Sequence, residues 1–341
     1  GYSKPDFRIG KEEYVWVKIA IRTLGTNAET LRKELISIHA QSLPPERIII
    51  YIAEGYSKPD FRIGKEEYVW VKKGMLAQRA LEYNEIPEEY ILTLDDDVEL
   101  SSTFAETLLT EMIQHNADVV GADVFKNHKL SILQKASAFI SNLVRPHFSS
   151  EYAFKVHKHG SFSYVYEPQK SYYLTQSCPG PAILWKKQIL TSIKLKDEIW
   201  LDKLPFAYGE DQVATFKAHQ NGYRLGISFD AGIINLDGQS SSNKYRKSPE
   251  RFITRTKAMF IAWWRTQYKP YGNNYNGDIT TLFWGIVKAT WLFCIFSLIS
   301  ATNFNSHFIK SYLIGLKEGY RFVTSDEYSY IPSFILPKSA N

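Results

Sequence analysis

The stretch Tyr90-Ile91-Leu92-Thr93-Leu94-Asp95-Asp96-Asp97 decides how the rest of the chain is read. A short β-prone, mostly apolar run goes straight into three consecutive carboxylates. Such a run, bounded by a polar turn, reads as a buried strand, and this one delivers acid at its C-terminal end. Carboxylate oxygens are ligands that Mg²⁺ and Mn²⁺ prefer, and these ions complete their shells with phosphate oxygens and water. Three carboxylates without a cation repel one another, so an interior cluster calls for a metal, a proton or an Arg partner. A solvated acidic turn is the competing reading of the triplet taken alone.

Upstream of the triplet, residues 19–22 read as a short buried strand closed by Thr23-Leu24-Gly25-Thr26-Asn27. Residues 28–43 have helical spacing, with Leu31, Leu35, Ile38 and Leu43 on one side. Arg47–Ala53 is a second strand ending at Glu54-Gly55, residues 68–71 a third, and 74–83 a helix. Downstream, the pattern predicts a helix over 102–115 and a strand over Val119–Ala122. Strand–helix alternation at this spacing implies βαβ units and a parallel sheet, which bind ligands beyond the carboxyl ends of their strands. Thr23, Glu54 and Asp95 to Asp97 all fall at such ends. That convergence favours the metal–phosphate reading.

Composition sets wide bounds. Of 341 residues, 44% are hydrophobic and 23% charged, which excludes a disordered chain and allows one large domain with a smaller appendage. The net charge of +5 suits phosphate-bearing partners or an anionic membrane without specifying either. Cys178 and Cys294 lack metal-site spacing and fit a reducing compartment. The opening residues lead to the expectation of no signal peptide. Residues 1–18, GYSKPDFRIGKEEYVWVK, recur unchanged at 55–72. Natural repeats diverge and recur with a regular period, so the first copy is read as an artefact and residues 1–13 are set aside. Its tail can still extend the first strand.

A second acidic pair lies in Tyr208-Gly209-Glu210-Asp211-Gln212, ahead of a helical run that ends at Asn221-Gly222. In the first turn of a helix, Glu210 and Asp211 are stabilised by the dipole and need no functional role. Beside a metal–phosphate site, such a carboxylate can instead take a proton from an attacking hydroxyl. Between the two acidic sites, residues 118–175 read as irregular apart from Val119–Ala122. His157 and His159 read as a solvent-facing loop pair rather than metal ligands. Ser177-Cys178-Pro179-Gly180-Pro181 leads into a strand over 182–185, with Gly180 serving a tight turn or a close ligand approach.

In this order the features resemble the inverting, nucleotide-sugar-dependent glycosyltransferases of family 2, which have a GT-A fold. The resemblance runs over roughly residues 19–236, through IAIRTLGTNAETLRKELISIHAQSL, IIIYIAEG, KKGMLAQRAL, ILTLDDDVEL, YGEDQ and NGYRLG. It implies an α/β chain: a GT-A-like, mostly parallel sheet flanked by helices at 19–245, and a C-terminal helical extension at 246–341. Asp95 and Asp97 then form the Asp-x-Asp motif, with Asp97 coordinating Mn²⁺ or Mg²⁺ across the donor diphosphate and Asp95 at the ribose or the cation. Thr23, Glu54, Arg79 and Asp96 fall on the nucleotide-sugar side, Glu54 standing where Asp is more usual. Asp211 is the base that deprotonates the acceptor hydroxyl, and Glu210 orients acceptor or base. One displacement inverts the anomeric carbon, without the nucleophilic carboxylate of a retaining glycosidase.

Two departures shape the expectation. Processive members carry Gln-x-x-Arg-Trp after the Glu-Asp pair; Trp263-Trp264-Arg265 has only a passing likeness, so one sugar per acceptor is expected. Many members place a His after the next strand, where this chain reads Ile234-Asn235-Leu236-Asp237-Gly238. The implied partners are a nucleotide-diphosphosugar donor and a glycan or lipid-linked saccharide acceptor, in the building of a bacterial surface glycan. The rivals are a nucleotidyltransferase, for which Thr23-Leu24-Gly25-Thr26-Asn27 is a poor phosphate loop, and an inactive nucleotide- or carbohydrate-binding module.

Residues 282–301, LFWGIVKATWLFCIFSLISA, are apolar apart from Lys288 and reach the ~20 residues that span a bilayer. Apolar side chains occur all round the helical wheel, so the segment is expected to be buried in something. A core helix, an interfacial helix and a true span compete. Lys288, Trp284, Trp291 and the amphipathic stretch 308–323 favour docking on a membrane surface, hence a cytoplasmic chain peripheral at the inner face of the cell membrane. Lys244-Tyr245-Arg246-Lys247 with Arg251 and Arg255 forms a cationic patch, read as a loop closing on the diphosphate or as a solvated helix face. No nucleic-acid motif accompanies it.

Overall fold

Strand β1 (Val17–Thr23) takes its place through an apolar run that buries both of its faces. In this computed structural model, which describes residues 17–81, 83, 87–125, 132, 151–165, 168–206, 208–236, 248–273, 275–302 and 306–336, β1 pairs in parallel with β2 (Arg47–Ala53). Strand β3 (Glu67–Val71) extends that side, and β4 (Tyr90–Asp95) pairs in parallel with the other edge of β1. Short β5 (Val98–Leu100) follows the acidic turn, and β6 (Val119–Ala122) lies further along the sheet. A hairpin of β7 (Phe154–Val156) and β8 (Phe162–Tyr164) precedes β9 (Tyr172–Thr175) and β10 (Ala182–Lys186). Then come β11 (Leu225–Ser228) and β12 (Ile233–Asn235), the latter paired with β5. The eight-stranded sheet runs β3-β2-β1-β4-β10-β6-β11-β9, with β10 antiparallel between β4 and β6.

Helices cover both faces. Alternate residues of a strand face opposite ways, so Ile19 and Ile21 meet α1 (Ala28–His39) and α2 (Phe104–Gln114), while Ala20 joins the other core. That second core contains α3 (Lys187–Ser192) and α4 (Glu210–Gln220), followed by α5 (Pro249–Trp263). Beyond them lie α6 (Ile279–Thr302), α7 (His307–Val323) and α8 (Asp326–Ser329). Gly315 and Gly319 bring α7 close to Thr256 and Phe260 of α5. The fold class expected from sequence is the one observed.

A buried charge cluster joins the C-terminal helices to α4. Glu198, in the 3-10 segment Leu195–Lys203, accepts from Lys217 Nζ at 2.9 Å and from Arg265 Nη2 at 2.7 Å and Nε at 2.5 Å. Glu198 and Lys217 are wholly buried and Arg265 is 2% exposed. Burial opposes charge on Glu198, but Arg265 and Lys217 hold its carboxyl below the usual carboxylate range.

Several expectations need correction. The helix predicted over 28–43 ends at His39, ahead of Pro44-Pro45, which disfavour helix in the residue before each proline. The helix predicted over 74–83 is a single turn: Asp202 takes the amides of Leu76 (2.7 Å) and Ala77 (2.9 Å), and Ala80 N closes on Leu76 O at 2.7 Å. The described part of 118–175 is not irregular, because its aromatic residues build β7, β8 and β9. The turn holding His157 and His159 leaves His157 half-buried and keeps His159 from facing solvent. Gly160 turns it with φ +75°, the two rings stack at 5.4 Å, and His159 is buried, which pushes its imidazole down to about 4. Finally, α6 is not buried in this chain. Only Thr281 and Ser300 are, so the core-helix reading fails. Residues 1–16, Asp237 and 244–247 lie outside the described residues.

Candidate active site

The register of the sheet assembles the site. Arg22 is the Cα partner of Asp95 across β1 and β4, and its Nη2 and Nε lie 2.6 and 2.7 Å from Asp95 Oδ1. Leu94 pairs with Ala182 of β10, and Asp95 N donates to Pro181 O at 3.0 Å, which sets Gly180 beside the acidic strand end. From the other core, α4 presents its first two residues. Gly209, left-handed at φ +76°, turns the chain into that helix. Glu210 Oε1 then lies 3.3 Å from Arg22 Nη2 and 3.6 Å from Arg79 Nη2. Arg79 Nη2 also reaches Asp95 at 3.4 Å, while its buried Nε has no hydrogen-bond partner among the described residues.

Gly180 separates the two halves of this arrangement. A Cβ there would stand 2.9 Å from Arg79 Nη2 and 2.9 Å from both Cβ and Oδ2 of Asp211. No side chain fits without moving the guanidinium or the carboxylate. Asp211 Oδ1 accepts from the amide of Gln212 at 2.9 Å, and Thr215 Oγ1 donates to the Asp211 carbonyl at 2.8 Å. The crevice between Ala20, Tyr51, Gln78, Arg79, Asp95 and Gly180 measures about 10 Å³, room for one water.

The two acids of α4 differ in their surroundings. Burial opposes charge on Glu210, but Arg79 and Arg22 overcome it and hold the carboxyl below its ordinary range. Asp211 is pushed the other way, to about 6, by burial and then by the charge of Glu210 beside it. Burial also raises Asp96, opposed by the hydroxyl of Thr23, with which its carboxylate shares a short hydrogen bond. Thr23 Oγ1 accepts from Gly25 N at 2.7 Å, and Gln78 Nε2 donates to the carbonyls of Thr23 and Tyr51 at 3.2 and 3.3 Å.

Of the residues named from sequence, Asp95, Arg79 and Glu210 meet directly, Asp211 stands across Gly180, and Thr23 joins Asp96. The carbonyl of Asp97 accepts from Leu236 N at 2.7 Å, which ties the acidic turn to β12. Glu54 is exposed beyond β2, where its amide donates to Val71 O at 2.8 Å; its side chain makes no hydrogen bond or ion pair among the described residues. Sequence reasoning missed Arg22, Gln78 and Asp202. A lone Arg at the end of an otherwise apolar strand was the available signal for Arg22. It also missed Glu34 of α1, which is wholly buried with neither carboxylate oxygen bonded among the described residues. Burial, and then Asp96, Asp95 and Asp97, hold its carboxyl well above the usual range.

No group of three His, Cys, Asp or Glu side chains placed to hold a metal occurs among the described residues. Asp95 and Asp96 already carry Arg22 and Thr23 as partners. The hard oxygen donors of the triplet therefore fit a divalent ion only in the mode where one or two carboxylates are joined by substrate phosphates and water.

Solved structures share this architecture. S. aureus TarS 1-349 aligns at a TM-score of 0.50 and 13% identity, over 91% of this chain and 81% of that one. The same protein in complex with UDP-GlcNAc aligns at 0.50 and 13% identity, over 90% and 81%. The likeness is one of fold. No protein-family model matches the chain, and no curated protein does.

Proposed function

We propose that the chain is an inverting glycosyltransferase that moves one sugar from a nucleotide-diphosphosugar to a hydroxyl of a glycan or lipid-linked saccharide. The observation that carries this reading is the divergence of the two acids at the start of α4: two guanidinia hold Glu210 as a carboxylate, while Asp211 is raised to about 6. A general base works best with a pKa near the operating pH, and Asp211 is the member of the pair with that property. TarS, which has this fold, binds UDP-GlcNAc, so UDP is the first nucleotide to try.

In this reading Arg22 and Arg79 receive the donor diphosphate, exchanging contacts with Asp95 and Glu210 for phosphate oxygens. Arg79 Nε, buried and unbonded, is a donor waiting for such an oxygen. Thr23, Asp96 and Glu54 face the nucleoside. Asp97 and Asp95 would hold Mn²⁺ or Mg²⁺, which when bound neutralises charge on the departing diphosphate. The acceptor oxygen bonds to the anomeric carbon as the bond from that carbon to the diphosphate oxygen breaks. The hydroxyl proton passes to Asp211, and Glu210, released from the guanidinia, orients acceptor or base. The direct test measures UDP, GDP, dTDP and CMP binding by thermal shift with Mn²⁺ and with EDTA, then sugar transfer by wild type and Asp211→Asn. Transfer that survives Asp211→Asn sinks the base assignment.

A further inference from the structure

Helix α6 has one charged residue in 24, Lys288, and is long and apolar enough to cross a membrane. Its neighbours say how it is used. Lys158 Nζ bonds Asp278 at 3.2 Å and Thr280 Oγ1 at 2.6 Å at the start of the helix. A turn later Gly285 packs on the ring of Trp263, and Lys288 Nζ donates to His159 O at 3.2 Å. Tyr312 of α7 donates to Ala289 O at 3.1 Å, Phe252 of α5 meets Phe296 edge-on at 5.0 Å, and Ile309 N reaches Ser300 Oγ at 3.3 Å. One side of α6 is thus fastened to the β7–β8 hairpin, α5 and α7 from end to end. The opposite side exposes Ile279, Phe283, Trp284, Ile286, Phe293 and Leu298. At 100° per residue these fall on about half of the helix circumference, along about 29 Å of axis. A band of that size marks an interaction surface.

The adjoining helix supplies a second observation. The outward side of α7 carries exposed Lys310, Lys317 and Arg321, interleaved with exposed Leu313, Ile314 and Tyr320. None of these cations is ion-paired among the described residues. Basic residues mixed with apolar and aromatic ones on one helix face suit the headgroup layer of an anionic bilayer.

We infer that α6 and α7 form an in-plane docking surface for an anionic lipid bilayer, with α6 lying along the membrane and not crossing it. A crossing helix is surrounded by hydrocarbon. Here crossing would carry Lys288, and the backbone of the β-turn at His159 that it bonds, into the bilayer, each at a high cost. Lying flat, the exposed half of α6 enters the acyl boundary while the fastened half stays with the protein. This inference is independent of the chemistry proposed for the active site.

The test uses the full chain and vesicles of phosphatidylcholine, with and without phosphatidylglycerol. Cys294 is exposed on α6 whereas Cys178 is buried, so a maleimide fluorophore reports on α6. Flotation with the anionic vesicles, and stronger quenching by lipids brominated near the headgroup than near the chain end, are the expected results. Phe283→Asp with Phe293→Asp should abolish flotation while circular dichroism keeps the wild-type melting curve. Lys310→Glu with Lys317→Glu should weaken it at least tenfold. Strongest quenching at the bilayer centre would make α6 a span and overturn the in-plane reading. A chain that ignores both vesicles and sediments as a dimer would show that a second copy covers the band, which equally overturns it.

Discussion

The molecule holds two clusters of carboxylates and cations, built from similar parts and serving different ends. Around Glu198 one carboxylate meets Lys217 and Arg265 at 2.5 to 2.9 Å, all three essentially sealed from water. Around Arg22 the contacts run from 2.6 to 3.6 Å, the groups keep 9% to 25% of their side chains exposed, and Arg79 Nε is unbonded. The first cluster is saturated and has nothing left to offer a ligand. The second is under-bonded, and one of its neighbours, Asp211, is raised well above an ordinary aspartate. Under-bonded charge at the end of a parallel sheet suits a site that exchanges partners with a substrate. Helix α4 links the two: its first turn carries Glu210 and Asp211, and two turns later Lys217 anchors it in the sealed cluster.

Four outcomes sharpen the contrast. Asp211→Asn should lower the transfer rate by about 10²- to 10⁴-fold, the range for a lost general base, with the calorimetric UDP affinity unchanged. The ionised form of Asp211 is costly in the fold, so the same variant should melt higher than wild type at pH 8. Arg265→Met should lower unfolding stability by about 3–5 kcal/mol in urea titrations, because it strands a buried carboxylate; a smaller loss would mean that Lys217 alone neutralises Glu198. Gly180→Ala should reduce kcat by about 10²-fold through displacement of Asp211 and Arg79, with little change in melting temperature.

The fourth outcome is a separation in pH. As the proposed base, Asp211 would work only when ionised, so kcat/KM should rise tenfold per pH unit up to about 6 and then level off. Its raised pKa contributes stability that is present at low pH and lost as pH rises through about 6. Glu198 has the opposite sign. Its pKa is lowered, so its contribution is present above the ordinary Glu value of 4.5 and lost as pH falls below it. Acid should therefore silence the proposed sugar transfer before it unfolds the chain. Coincident loss of activity and circular dichroism would argue that both clusters are structural.

Much of this was legible in the sequence for a physical reason. Strands β1, β2 and β4 bury both faces, so their apolar runs stand out, and the acids that succeed them fall at sheet ends that the alternation of elements locates. Glu210 and Asp211 open a helix whose C-cap, Asn221, is equally plain. The hidden parts depend on contacts distant in sequence. Asp202 sits 126 residues from Leu76 yet decides that the Arg79 segment is one turn and not a helix. Arg265 and Glu198 are 67 residues apart, and no local pattern pairs them. Strands β7 and β8 have three residues each, too short to show alternation, although their Phe and Tyr content favours strand.

The two copies of the repeated segment meet different fates. Both copies end in Tyr-Val-Trp-Val-Lys; on opposite flanks of β2, each in a parallel strand, Lys18 of the first lies beside Arg47 and Val71 of the second beside Ala53. In β1 the Val17-Lys18 pair is fully buried, Lys18 Nζ donating to Tyr51 OH at 3.3 Å, whereas in β3 Val71 is half-buried and Lys72 exposed. Only the residues after that peptide, Ile19-Ala20-Ile21 in one copy and Lys73-Gly74 in the other, sort central strand from edge.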